Sequence, residues 1–162
     1  MSAAVLSIGS NLGDRLTALR GAVEHFGPWV QAVSPVYETA PWGPVPQEDF
    51  LNAVLLVRDD AATPTDWLAR AHEVEDAAGR TREVRWGPRT LDVDVVSVDD
   101  LRSDDPVLTL PHPRAAERAF VLVPWLAADP SAVLGGVPVA ELVDAVDVSE
   151  VRLRADLELA AR

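Results

Sequence analysis

Between Arg80 and Asp94 the chain reads R-T-R-E-V-R-W-G-P-R-T-L-D-V-D. Four arginines (Arg80, Arg82, Arg85, Arg89) and Trp86 in a Gly-Pro turn are followed by Asp92 and Asp94. On a strand, residues i and i+2 project to the same face, so the two carboxylates stand side by side. Adjacent carboxylates repel unless a cation neutralises them. Hard oxygen donors suit Mg²⁺, which commonly arrives with substrate phosphates. The arginines upstream offer planar, permanently charged forks for phosphate oxygens. For D-V-D alone a solvated strand face is the stronger reading. Beside R-W-G-P-R the balance shifts to metal and polyphosphate, with Arg89 close enough to pair with Asp92 when no ligand is bound.

Other residues could join that chemistry. His112 is held stiffly between Pro111 and Pro113, and Pro113 is expected to open a short helix carrying Arg114 and Arg118 on one side. A helix start of that kind favours anions. Phe50 and Asn52, with Phe120, could hold a flat heteroaromatic ring by stacking and amide hydrogen bonds. Core phenylalanines with a turn-capping asparagine are the competing reading. His25 and His72 read as helix-surface residues, His72 lying one turn from Glu75. The G-S-N-L-G-D run at residues 9–14 lacks G-K-[ST], so it is no P-loop.

These residues need elements to carry them. Residues 3–9 read as a buried strand, and Asp14 caps a helix with Leu16, Leu19, Val23 and Phe26 on its apolar face, stopped by Gly27-Pro28. Val30 to Tyr37 is a second strand, bent or at an edge because of Pro35. Residues 38–49 form a long proline-rich loop around Trp42. Phe50 to Val57 is the next strand, with Leu51, Ala53, Leu55 and Val57 on one face and Phe50 and Asn52 on the other. Thr63-Pro64 with Asp66 starts a helix that ends at Gly79. Thr90 to Val98 is the strand bearing the aspartates, and the alternating tail from Val151 to Leu159 adds a last strand. The order β-α-β, β-α-β is the ferredoxin-like (split βαβ) pattern of the α+β class, an antiparallel sheet with helices on one face and long functional loops.

Length and composition set the class. At 162 residues, 48% hydrophobic and 25% charged, the chain reads as one globular domain over residues 1–162. No apolar run reaches a membrane span, and the N-terminus reads as a strand and not a signal peptide. Without cysteine there is neither a disulfide framework nor a thiolate zinc site. The cytoplasm is the simplest compartment. A net charge of -12 argues against non-specific nucleic-acid binding. Yet half of the 14 cationic residues, all arginine, fall between Arg80 and Arg118, which prepares a local anion site. Surface ion pairing explains that clustering equally well.

The segments S-I-G-S-N-L-G-D, Y-E-T-A-P-W-G-P into D-F-L-N-A, E-x₄-R-x-R into R-W-G-P-R-T-L-D-V-D, and L-T-L-P-H-P-R-A-A-E-R-A-F resemble the 6-hydroxymethyl-7,8-dihydropterin pyrophosphokinases of folate biosynthesis. The likeness spans residues 6 to about 126, in order. It implies a monomeric ferredoxin-like enzyme in which the pterin hydroxymethyl oxygen attacks the β-phosphorus of ATP and AMP leaves. By resemblance Asp92 and Asp94 hold two Mg²⁺ ions, and one of them also meets the hydroxymethyl group. Arg80 and Arg89 contact phosphates during transfer. Arg82 and Trp86 belong to a loop that closes over the nucleotide, and Glu75, Thr109, His112 and Arg118 match the ATP site. Phe50 and Phe120 match the rings that sandwich the pterin, while Thr39, Ala40, Trp42 and Asn52 line its edge. Glu83 and Val107 depart from the family's pattern. No fused second enzyme is expected, and the partners implied are two small molecules, with neither nucleic acid nor membrane.

Two other functions fit parts of the chain. A metal-dependent phosphohydrolase or nuclease could be built on D-V-D, although the acidic surface disfavours a nuclease. A ferredoxin-like binding module would take up nucleotide and turn nothing over.

Overall fold

The computed structural model describes residues 2–41, 46–79 and 90–159. The chain runs through β1 (Ala3–Ser10), α1 (Arg15–Phe26), β2 (Val30–Val33), β3 (Tyr37–Thr39), β4 (Phe50–Arg58) and α2 (Pro64–Ala77). It continues through β5 (Asp92–Val98), the hairpin β6 (Ser103–Asp105) and β7 (Leu108–Leu110), and α3 (Ala119–Ala128). The small hairpin β8 (Val133–Leu134) and β9 (Val137–Pro138), α4 (Val139–Asp144) and β10 (Arg152–Leu153) complete it. Among the described residues the main sheet has the order β10-β3-β4-β1-β5, with β2 also on β4. All its pairings are antiparallel. β4 lies between β1 and the strands that come after α1, which is the split βαβ arrangement of a ferredoxin-like fold.

Alternation along β4 and β1 makes two cores. Leu6, Ile8, Leu51, Ala53, Leu55 and Val57 pack on one face with Leu19, Phe26, Trp67 and Val74 of α1 and α2. Val54 and Val96 face the other way, onto Val121, Leu122 and Trp125 of α3 and Val139 of α4. The expectation of helices on one face therefore holds only for α1 and α2. α3 is apolar on nearly every side, as A-F-V-L-V-P-W-L-A-A requires if it is to cover a second sheet face.

Local signals worked where they are local. Asp14 accepts from Thr17 N at the start of α1, and Thr63 and Asp66 form a reciprocal capping box at the start of α2. Gly79 takes a positive φ of 75° just beyond α2, a conformation open to glycine. Three expectations need correction. The strand expected over Val30–Tyr37 splits into β2 and β3, because Pro35 has no N–H for the ladder. Ser34 fills the gap, its N–H donating to Val54 O and its Oγ accepting from Val54 N at 2.8 Å. The helix expected from Pro113 is a short 3-10 turn over Ala115–Glu117, so Arg114 and Arg118 flank it instead of sharing a helical face. There the Arg114 N–H is taken by His112 Nδ1 at 3.2 Å, and the first turn closes on a side chain. The tail strand is confined to Arg152–Leu153, which pair with Glu38 and Tyr37 of β3.

Candidate active site

β5 is the edge strand of the sheet, and its first three residues carry the acidic pair. Val93 and Val95 are buried on the α1/α2 face, which turns Asp92 and Asp94, both half-buried, to the opposite face. Being at an edge, β5 exposes N–H groups that no strand among the described residues takes up. Glu75 of α2, only 2% exposed, supplies an acceptor: Val93 N donates to its Oε2 at 2.9 Å. A buried carboxylate thus fixes the backbone between the two aspartates. On the other side, Arg118 Nη1 lies 3.8 Å from Asp94 Oδ2, and its guanidinium sits 5.5 Å from the centre of the Phe120 ring.

A cavity of about 320 Å³ opens around this edge, at the lower end of the size of small-molecule sites, roughly 300–1,000 Å³. Its walls are Leu68, His72 and Glu75 of α2, Asp92 to Val95 of β5, the turn and strand Pro106 to Thr109, and His112 with Pro113. Thr109 Oγ1 donates to Asp105 O at 3.0 Å, tying the hairpin that forms one wall. Burial lowers the His112 pKa, Arg118 and Arg114 act in the same direction, and Asp92 opposes them. The ring is therefore neutral near pH 7, and with Nδ1 accepting from Arg114 N, its proton sits on Nε2 as a donor.

Next to the acidic pair lies a second set of groups. In register across the sheet, Asn52 of β4 pairs with Gly9 of β1, and Gly9 pairs with Asp92 of β5. Asn52, 3% exposed, donates from Nδ2 to Thr39 Oγ1 at 2.7 Å, which fixes the orientation of its amide. A Cβ on Gly9 would stand 2.9 Å from Asn52 Oδ1 and 3.5 Å from Phe50 Cδ1. Glycine in this strand thus permits a close approach that any side chain would close. Phe50 is half-buried at the start of β4, and Phe120, also half-buried, belongs to the helix covering the same face. Gly9→Ala is expected to turn the Asn52 amide, raising KM for any ring held there about tenfold, the scale of one lost hydrogen bond. Equal KM values for mutant and parent would show that the amide tolerates the shift.

Of the residues singled out from the sequence, Asp92, Asp94, Glu75, Thr109 and His112 line one cavity. Arg118 adjoins it through Asp94. Thr39, Asn52 and Phe50 form the neighbouring group, and Ala40 is exposed at its edge. Trp42, Arg80, Arg82, Trp86 and Arg89, with the pairing of Arg89 to Asp92, lie outside the described residues. His72, exposed on the surface of α2 as expected, also borders the cavity. Gly9 escapes sequence reasoning, although a glycine inside a strand is itself a signal of close approach. Among the described residues no three His, Cys, Asp or Glu side chains gather as a metal cage. Two carboxylates on one strand face instead suit an ion that brings its remaining ligands with it, as Mg²⁺ does with phosphates, so the donors present fit that ion.

Residues 5–130 match the model of the family described as 7,8-dihydro-6-hydroxymethylpterin-pyrophosphokinase. The chain is 50% identical over 143 residues to a Mycobacterium tuberculosis protein named 2-amino-4-hydroxy-6-hydroxymethyldihydropteridine pyrophosphokinase, covering 83% of this chain and 76% of the relative. A protein of the same name from Methylorubrum extorquens is 44% identical over 153 residues, covering 92% of this chain and 96% of the relative. Among solved structures, an HPPK-DHPS in complex with substrates superposes with a TM-score of 0.68 at 10% identity, over 89% of this chain. This chain spans 43% of that longer one, and at such identity the likeness is one of fold.

Proposed function

The chain belongs to the 7,8-dihydro-6-hydroxymethylpterin-pyrophosphokinase family, and from that premise we propose how its own residues divide the reaction. The reaction moves pyrophosphate from ATP to the hydroxymethyl group of 6-hydroxymethyl-7,8-dihydropterin in folate biosynthesis. The hydroxymethyl oxygen forms a bond to the β-phosphorus, the bond from that phosphorus to the α-phosphate oxygen breaks, and AMP leaves. The hydroxyl proton is lost in the same step.

One observation carries the division of labour: Asn52, Gly9 and Asp92 stand in one row across three neighbouring strands. Strand spacing puts the two ends of that row about 10 Å apart, and the middle position has no side chain. A flat bicyclic ring lying over Gly9 has its polar edge at Asn52 and its substituent toward Asp92. Phe50 and Phe120 sandwich the ring, with Thr39, Ala40 and Trp42 along its rim. Asp92 and Asp94 hold two Mg²⁺ ions, which when bound neutralise the triphosphate and polarise the attacked phosphorus. Asp92 also orients the hydroxymethyl group and takes its proton.

ATP occupies the cavity between α2 and the β6–β7 hairpin. Neutral His112 offers its Nε2 hydrogen, Thr109 and Glu75 line the wall, and Arg118 compensates charge next to Asp94. Arg80 and Arg89 contact the phosphates, and Arg82 and Trp86 close over them, on the strength of the sequence motif. Residues 1–162 act as one pyrophosphokinase domain, a monomer in the cytoplasm whose partners are small molecules. The net charge of -12 supports the absence of nucleic acid among them. Among the described residues no helix is long and apolar enough to cross a membrane.

The test is direct. Incubation with ATP, magnesium and the dihydropterin should release AMP in equal amount to pyrophosphorylated pterin. ADP or inorganic phosphate as the nucleotide-derived product would overturn the reading.

A further inference from the structure

We infer that Arg15 and Arg152 staple together the two stems of the segment joining β3 to β4, and so act as positioning residues for the pterin. Glu38 of β3 is one stem and Asp49, just before β4, is the other. Arg15, at the start of α1, donates from Nη1 to Glu38 Oε2 at 2.6 Å and to Asp49 O at 2.9 Å. Arg152, in the C-terminal strand β10, donates from Nη2 to Asp49 Oδ2 at 2.8 Å, with Glu38 Oε1 at 3.5 Å. Each guanidinium therefore bridges both stems. Arg154 adds a bond from Nη1 to Glu38 Oε1 at 3.2 Å, while its backbone N donates to Val36 O. Asn11, 1% exposed at the end of β1, donates to Gln47 Oε1 at 2.7 Å and Glu48 O at 2.9 Å.

Each stem is one residue away from a group on the pterin side. Glu38 precedes Thr39, whose hydroxyl fixes the Asn52 amide, and Asp49 precedes Phe50. Exposed ion pairs seldom contribute much, but this is a network converging on one carboxylate that is 17% exposed. Arg15 holds the Glu38 carboxyl below the usual glutamate range, with Arg154 and Arg152 acting in the same direction. The guanidinium fork is what lets one side chain serve two acceptors, which a lysine serves less well. The C-terminal tail, lying outside the family match at residues 5–130, thereby joins the pterin side of the site.

The inference rests on the placement of the pterin against Phe50 and Asn52, so Asn52→Ala belongs in the same experiment. Arg15→Gln and Arg152→Ala are made in the full chain, and kcat and KM are measured for each substrate, with amide hydrogen exchange across residues 46–52. Arg15→Gln should raise KM for the pterin about tenfold and Arg152→Ala about threefold, the scale of lost charge-assisted hydrogen bonds. KM for ATP should stay within about twofold, and exchange at 47–52 should quicken while β1 stays protected. Arg152, 56% exposed, serves alone if the Arg15 variant folds poorly. Parallel rises in both KM values, or an unchanged pterin KM where Asn52→Ala raises it, overturns the staple. An unchanged pterin KM in Asn52→Ala overturns the placement itself, and the inference with it.

Discussion

Asp94→Ala is expected to lower kcat about a thousandfold or more while leaving the fold in place. The carboxylate is half of the acidic pair, and the sheet offers the divalent ions no substitute among the described groups turned to that face. Removing it takes away an electrostatic element preorganised for the charge that moves during phosphoryl transfer, an effect on the order of 4 kcal/mol. Stability should change little, because the Asp94 side chain is 30% exposed and carboxylate pairings at such exposure contribute little. Single-turnover rates, with magnesium titrated by calorimetry on the same sample, test both halves of the claim. Turnover near that of the parent would remove the metal role from this strand.

Glu75→Ala is expected to lose activity and stability together, and Glu75→Gln to lose little of either. Truncation leaves the Val93 N–H buried without its acceptor, which costs about 1–3 kcal/mol, or roughly 2–10 °C in melting temperature for a domain of this size. The same N–H lies between Asp92 and Asp94, so a shift of the strand edge moves both carboxylates. Misplacement by an ångström can slow a positioned reaction about a hundredfold. The glutamine retains an oxygen that can accept from Val93. Melting curves and kcat for the pair of variants separate this account from a role in which the negative charge itself matters. In that case Glu75→Gln would be as slow as Glu75→Ala.

Much of the site was legible because its signals are local. The D-V-D alternation placed both aspartates on one face, as the burial of β5 bears out. The alternation of β4 put Phe50 and Asn52 opposite Leu51 and Ala53, which join the α1/α2 core while Phe50 and Asn52 both lie beside Gly9. Helix starts at Asp14 and Thr63 came from side chains bonding within three residues. His72 lies exposed on α2 as expected, and that it also borders the cavity depends on a wall brought up later by a hairpin, about which helical periodicity says nothing. Pro113 misled because a proline permits a helix start, but the His112 side chain took the first backbone donor.

By itself, then, the sequence determined the acidic pair, the aromatic and amide residues of β4, the alternation of strands and helices as far as β5, and the family resemblance. Each of these is written within a few residues, where strand and helix periods or a short motif settle the matter. Only the tertiary structure decided that Glu75 clamps Val93 across 18 residues, and that Gly9 clears the space between Asn52 and Asp92. It also decided that Arg152 reaches Glu38 across 114 residues, and that α3 covers the second face of the sheet. Such contacts depend on which strands become neighbours and where the sheet ends, and no local propensity carries that information. They arise when the backbone groups of an edge strand and the charged stems of a loop must find partners, and the partners come from wherever the chain has been folded beside them.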